Sequence, residues 1–396
     1  MHYEEPTIQT ARLKAQPPHR QLHPWVFAGE VADLPDIEPG ELVRVVDARG
    51  RQAGVAYANP RSKIVLRYLA RGHDVQTDGL WARGIAAAVA RRGDLPPGEA
   101  RRMVNAEGDG LPGLIVDDYA GWLSIQLTTA GSERARAEIV AALSEALRPR
   151  GIYERSDVPE RALEGLEQHT GLLWGEEPPE LVEIVEGAAR LLVDIRYGQK
   201  TGLFLDQREN RIATTRYARG GRVLNTFCYS GGFSVHAALG GAREVTSVDI
   251  SGEACVLARR NLELNGFNDD GARTHAENAF DFLRRNADAR ERYDLVVIDP
   301  PAFARGRASL AGALRGYREV NVRGFKLLEP GGILVTCSCS RPVTREIFRQ
   351  VVQRAAADAK RSVQIVEEGG HADDHPSLLE APETDYLVCL TLRVIG

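Results

Sequence analysis

The stretch from Arg222 to Ile250 constrains the fold more than any other part of the chain. Val223 and Leu224 open a short apolar run that stops at residues 228–232, where small residues mark a tight turn. Residues 233–239 then have helical spacing, and residues 244–248 read as a second strand ending in Asp249. A strand, a glycine turn, a helix and an acid-tipped second strand make the first half of a nucleotide-binding βαβ unit. Glycines there let a ligand approach the backbone at the helix N-terminus, and the acid can accept hydrogen bonds from a ribose diol. The turn lacks the G-x-G-x-x-G pattern, so no dedicated pyrophosphate cradle is expected. A nucleoside without phosphates fits better, and S-adenosyl-L-methionine is the obvious candidate. The bland alternative is a βαβ unit whose Asp249 only caps a helix.

At 396 residues the chain is long enough for two or three domains. No apolar run approaches the ~20 residues of a membrane span, and the polar N-terminus is not that of a signal peptide. Five cysteines in so long a chain make no disulfide framework, which fits a reducing, cytoplasmic setting. The net charge of −5 argues at first against a nucleic-acid partner. Its distribution changes that. Residues 76–190 carry 12 Lys and Arg against 20 Asp and Glu, whereas residues 1–75 carry 10 against 9 and residues 191–396 carry 28 against 26. The acidity sits in the middle, and either flank can still present a basic face.

Residues 1–75 alternate short β signals with turns: 42–46, a hairpin turn at Asp47-Ala-Arg-Gly50, a return strand at 54–57, and another at 64–68. His23-Pro-Trp25 and Phe27 lie close to Arg12, Lys14 and Arg20. A small β-barrel with a basic, aromatic rim would suit RNA, although Trp25 and Phe27 are more commonly core residues. Residues 76–190 read as a small α+β domain, with helices over 80–92 and 132–148 (capping box at Ser132) and strands over 103–106, 113–117, 122–127 and 152–155. Beyond residue 190, helices and strands alternate to the end. That predicts a mostly parallel sheet covered on both faces, with ligands at the carboxyl ends of its strands.

Those strand ends gather residues 225–232, Asp249, Glu277-Asn278, residues 299–303 and residues 336–340. Asn278 can read an adenine edge with its amide, or simply sit in a solvated loop. In Asp299-Pro-Pro-Ala-Phe303 two prolines stiffen the backbone after a buried strand, and Phe303 can stack on a base. Thr336-Cys-Ser-Cys-Ser340 bears on the chemistry. Methylating an exocyclic amine needs only a lone pair and a methyl donor. Methylating carbon 5 of a pyrimidine needs a thiolate first added at carbon 6 to make carbon 5 nucleophilic. Residues two apart on a strand share a face, so both cysteines are expected to point the same way. Cys339, nearer the carboxyl end, is the first choice as nucleophile and Cys337 the second. A metal is not expected, since His371 and His375 lie in a loop where their spacing aligns nothing.

Five segments carry a resemblance to a known family: Lys200-Thr-Gly-Leu-Phe-Leu-Asp-Gln-Arg208, Asn225-Thr-Phe-Cys-Tyr-Ser-Gly-Gly-Phe233, Asp299-Pro-Pro-Ala-Phe303, Arg315-Gly-Tyr317 and Ser338-Cys-Ser340. Over nearly its whole length the chain resembles the RlmI-like large-subunit (23S) ribosomal RNA cytosine-5 methyltransferases. The resemblance implies an α/β protein with a PUA RNA-binding domain at 1–75, a central α+β domain at 76–190, and a doubly wound class I (Rossmann-like) methyltransferase domain at 191–396. It implies Cys339 as nucleophile, and Asp299 near N3 of the cytosine, assisting the addition. Gln207 and Arg208 would lie near the methionine end of the cofactor. Asn225, Phe227, Tyr229, Ser230, Gly231, Asp249, Asn278 and Asp299 would line its site, with Pro300 and Phe303 toward the substrate base. The expected partner is 23S ribosomal RNA, with no membrane and no metal; the oligomeric state stays open, a homodimer being one option. Two other readings remain: an exocyclic-amine N-methyltransferase on RNA, and a non-catalytic RNA-binding assembly factor. A nicotinamide oxidoreductase is the weakest, for want of the phosphate-binding glycines.

Overall fold

A computed structural model describes residues 8–17, 20–268, 271–304 and 306–396; the first seven residues of the expected 1–75 segment lie outside them. The described residues form two compact units. One runs up to Val182 and takes in Asp194–Leu203 and Asp374–Thr384. The other comprises Glu183–Val193, Phe204–Asp373 and Asp385–Gly396.

The first unit holds two sheets. Strands β1 (Thr10–Leu13), β2 (Trp25–Phe27), β3 (Val31–Asp33), β4 (Glu41–Val46), β5 (Gln52–Ala58) and β6 (Ile64–Arg71) form a six-stranded sheet in the order β2-β6-β5-β4-β1-β3. Helix α1 (Leu80–Arg92) leads to β7 (Ala100–Asn105), β8 (Leu114–Tyr119) and β9 (Trp122–Leu127). Helices α2 (Ala130–Arg134) and α3 (Arg136–Leu147) follow, then β10 (Gly151–Ser156) and β11 (His169–Gly175), in a five-stranded sheet ordered β11-β10-β9-β8-β7. The helical stretch expected from Ser132 begins earlier, because Thr129 is the residue whose side chain accepts the Ser132 N–H and caps α2. Strand β11 was not legible. It lies at the sheet edge with most of its side chains exposed, so it carries no alternating pattern.

Tyr57 of β5 joins the two sheets. Its ring is buried, and its hydroxyl lies within hydrogen-bond distance of the Pro112 carbonyl (3.0 Å) and Thr129 Oγ1 (2.7 Å). Close by, Arg67 reaches Glu164 (2.9 Å) and Glu107 (3.3 Å), and Trp25 Nε1 donates to Glu107 (2.8 Å). Trp25 is therefore half-buried and tied to the turn between β7 and β8. Phe27 is 37% exposed and not a core residue.

The second unit begins with β12 (Val182–Glu186) and β13 (Ala189–Val193), which pair with each other, and then α4 (Arg208–Thr214). Its main sheet contains β14 (Arg222–Thr226), β15 (Glu244–Asp249), β16 (Ala272–Ala276), β17 (Tyr293–Ile298), β18 (Leu328–Ser338), β19 (Val363–Gly369) and β20 (Val388–Val394). The helices between them are α5 (Gly232–Leu239), α6 (Gly252–Leu264), α7 (Ala279–Asp288), α8 (Leu310–Lys326) and α9 (Arg345–Asp358). The strand order is β16-β15-β14-β17-β18-β20-β19. The first five strands are parallel, and β20 runs antiparallel to both neighbours. Runs such as Leu295–Ile298 are apolar throughout because helices bury both faces of a parallel strand. This is the class I methyltransferase arrangement that the resemblance implies. The winding reverses between β14 and β17, so the residues just after these two strands border the same crevice.

Candidate active site

Three residues of the turn after β14 adopt left-handed backbone: Phe227 (φ 60°), Tyr229 (φ 46°) and Gly231 (φ 80°). Two of them are aromatic, and such a conformation persists only when its surroundings hold it. The Cys228 N–H donates to the Val248 carbonyl (3.0 Å) and the Tyr229 N–H to Asp249 Oδ2 (2.9 Å). Asp249 Oδ1 accepts the Ser251 N–H (3.0 Å), so this carboxylate ties the turn to β15 and still has lone pairs for a ribose diol. The glycines leave room for the neighbouring helices. A Cβ at Gly231 would lie 2.8 Å from Ala258 Cβ of α6, and one at Gly232 would lie 2.6 Å from Arg211 Cδ. Ser230 is buried, and its carbonyl accepts from Asn261 (2.9 Å). Asn225, expected at the cofactor, is buried, with its amide donating to Ser234 Oγ (2.9 Å) and its Oδ1 left without a partner. Asn278 Oδ1 caps α7 by accepting the Phe280 N–H (2.9 Å), which leaves its NH2 group as the part that can meet an adenine. The loop-or-ligand choice offered by sequence omitted this third use.

Asp299 follows β17. Gln207 Nε2 donates to its Oδ1 (2.8 Å), while Gln207 Oε1 accepts from Asn210 Nδ2 (2.6 Å). Burial, and next the nearby Asp206 carboxylate, raise the Asp299 pKa to about 7 against the opposing pull of Arg211 and the Gln207 hydrogen bond. Asp206 accepts from the Tyr386 hydroxyl (2.7 Å) through Oδ2, and its Oδ1 is buried without a partner. Arg208 pairs with Asp373 (2.8 Å) and Glu209 (3.1 Å). Under α4, Arg211 is buried against Glu186, which also bonds His236 Nε2 (3.0 Å), and Arg211 Nη1 donates to the Phe204 carbonyl (2.7 Å). The Phe204 ring meets Tyr229 edge-on at 5.6 Å.

The two cysteines do not share an environment. Strand β18 ends at Ser338, so the two-residue alternation does not carry to Cys339. Cys337 is fully buried, in register with Cys389 of β20. Contact with the Cys389 thiol, and then burial, push its pKa far up. Cys339 is partly exposed, with its sulfur 3.8 Å from the Pro300 carbonyl. Ser340, next to it, is buried, bonding the Tyr317 hydroxyl (2.9 Å) and the Ala304 N–H (3.1 Å). Tyr317, Asp206 and Asn210 were the residues that sequence reading missed; the first two lie in segments quoted for the resemblance, and Asn210 follows one of them by two residues. Phe303 packs on Tyr317 (4.6 Å), Phe280 (5.8 Å) and Phe227 (6.4 Å). Gly316 makes room for it, since a Cβ there would lie 3.2 Å from the Phe303 ring.

The donor set suits a sulfonium nucleoside. There is a carboxylate at the end of β15, aromatic rings at 227 and 280, and an unpartnered acceptor on Asp206 that can take an ammonium N–H. Among the described residues no cluster of three or more His, Cys, Asp or Glu side chains is arranged for a metal, and no helix is long and apolar enough to cross a membrane. A family model for S-adenosylmethionine-dependent methyltransferases matches residues 167–384, and one for PUA-like domains matches residues 13–71. The chain is 42% identical over 381 residues to ribosomal RNA large subunit methyltransferase I of Erwinia tasmaniensis, covering 94% of this chain and 96% of that one. It is 43% identical over 379 residues to the protein of the same name from Tolumonas auensis, with the same coverage. Among solved structures, SMU.776 in complex with SAH has the same fold, with a TM-score of 0.84 at 23% identity over 98% of this chain and 100% of that one. The chain therefore belongs to the ribosomal RNA large subunit methyltransferase I family and is an S-adenosyl-L-methionine-dependent methyltransferase with a PUA-like domain.

Proposed function

We propose that the protein methylates carbon 5 of a cytosine in 23S ribosomal RNA, with Cys339 as nucleophile and Asp299 as the acid at the base. The relatives named as large-subunit ribosomal RNA methyltransferases support the RNA, and the PUA-like domain supports an RNA partner. The observation that carries the chemistry is the contrast between the two thiols. Cys339 is accessible beside Asp299-Pro300, whereas Cys337 is enclosed in the sheet. An N-methyltransferase has no use for a presented thiol at this point.

In this reading the target cytosine leaves its stack and packs against Phe303. Bound S-adenosyl-L-methionine supplies an electrophilic methyl group. Phe227, Tyr229, Ser230, Gly231, Asp249 and Asn278 surround its nucleoside, Gln207 and Arg208 border its methionine end, and Asn225 supports the turn from below. The Cys339 thiolate adds to carbon 6 while Asp299, with a pKa near neutrality, delivers a proton to N3. The resulting enamine makes carbon 5 nucleophilic. After carbon 5 is methylated, a base takes its proton, the bond from carbon 6 to Cys339 breaks with return of the thiolate, and N3 gives its proton back to Asp299, which restores the aromatic base. Pro300 stiffens the turn that carries the acid, and its carbonyl lies 3.8 Å from the Cys339 sulfur.

RNA carrying 5-fluorocytosine at the target traps the adduct, because fluorine cannot leave as the proton does. Incubation with cofactor should give a covalent complex that C339A abolishes and C337A preserves. Undiminished turnover in C339A would eliminate the thiol route and favour amine methylation.

A further inference from the structure

We propose that Asn210 is a positioning residue for the transfer reaction, fixing through the Gln207 amide the protonation state in which Asp299 works. The proposal rests on the role given to Asp299 above.

Its origin is one backbone carbonyl. Asn210 is buried, and one end of its amide lies 2.9 Å from the Gly370 oxygen. A carbonyl only accepts, so the Asn210 atom facing it is the NH2 group. That same NH2 lies 2.6 Å from one end of the Gln207 amide, which must then be the Gln207 oxygen. The other end of Gln207, facing Asp299 Oδ1 at 2.8 Å, is therefore its NH2 group. The direction of the whole relay follows from Gly370. The neighbouring glycine is part of the device: a Cβ at Gly369 would lie 2.0 Å from Asn210 Oδ1, so no side chain fits there beside Asn210. Arg345 holds the segment by donating to the Gly369 carbonyl (3.1 Å).

A donor aimed at Asp299 favours the carboxylate; an acceptor there would favour the acid. The other groups acting on Asp299 are Asp206, which opposes ionisation, and Arg211, which promotes it, both from the 204–214 segment. Cys337 on β18 also senses its charge, and Cys339 contacts Pro300 next to it. Burial and Asp206 alone would keep Asp299 protonated and unable to cycle. Arg211 first, and the Gln207 hydrogen bond after it, pull it back toward the point where it can both give and regain a proton, and the relay decides whether that second contribution is present.

The substitution N210D keeps the shape and reverses the direction, since an aspartate at 210 turns the Gln207 NH2 toward itself and the Gln207 oxygen toward Asp299. In the full-length protein, the Asp299 carboxyl carbon is titrated by NMR, and the pH profile of 5-fluorocytosine RNA adduct formation is recorded beside it. The N210D midpoint should rise by about one to two pH units, the size of one hydrogen bond to a charged group, and the adduct profile should move with it. N210A, which only releases Gln207, should raise the midpoint by less. Calorimetric binding of S-adenosyl-L-methionine checks that each variant is folded. N210D also brings a second carboxylate that raises the midpoint by charge alone, so an unchanged midpoint in a cofactor-binding N210A overturns the proposal, as does an unchanged midpoint in N210D. A raised midpoint with an unmoved adduct profile would uphold the relay and instead remove Asp299 from the mechanism.

Discussion

The Glu186 carboxylate beneath the site lends itself to a quantitative test by E186Q. Burial by itself would raise its pKa, but the charge and hydrogen bonds of Arg211 and His236 more than offset this and hold it at about 2, against an ordinary value of 4.5. A carboxyl whose folded pKa is depressed contributes its full stabilisation above the unfolded value and loses it as pH falls through the folded one. A difference of this size corresponds to about 3 kcal/mol, present above roughly pH 5 and gone near pH 2. Arg211 Nε and Nη2 use both Glu186 oxygens and His236 shares one, so glutamine would set an NH2 group against a buried guanidinium N–H. Breaking such a pair costs about 3–5 kcal/mol at neutral pH. All four tryptophans (25, 81, 122 and 174) lie in the first unit, so their fluorescence would report on the wrong part of the chain. Amide exchange of β14 and α5, read by mass spectrometry and corrected for intrinsic rates, reports on the second unit. The wild type should exceed E186Q by about 3–5 kcal/mol at pH 7, and the gap should close by about 3 kcal/mol toward pH 2. A gap independent of pH would refute the assignment of this carboxylate as the buried charge that holds α4.

Three further outcomes follow from the same geometry. Asp299 has a raised pKa, so its ionisation costs stability as pH rises past its unfolded value; D299N should abolish adduct formation yet be more stable than wild type above about pH 7, by on the order of 2–4 kcal/mol in the same exchange experiment. G231A places a Cβ against Ala258 on a backbone with φ 80° and should cost at least about 2 kcal/mol, together with a measurable loss of cofactor affinity by calorimetry. Y317F keeps the ring against Phe303 but removes the hydroxyl that holds Ser340, and should slow adduct formation roughly tenfold, the equivalent of about 1.4 kcal/mol, with cofactor affinity unchanged.

Apolar runs and turn residues were enough to read a doubly wound sheet, because parallel strands buried on both faces carry a continuous hydrophobic signature. Helix α1 and strand β9 were legible to the residue as well. Other features depended on contacts between residues distant in sequence. Which cysteine is enclosed depends on β18 ending at Ser338 and on Cys389 arriving opposite Cys337 from 52 positions further along. The charge on Asp299 is set by Asp206, Gln207 and Arg211, more than 80 residues upstream. Local spacing encodes which element forms. The burial, charge state and direction of a hydrogen bond belong to whatever the fold brings alongside, and only the tertiary structure decides them.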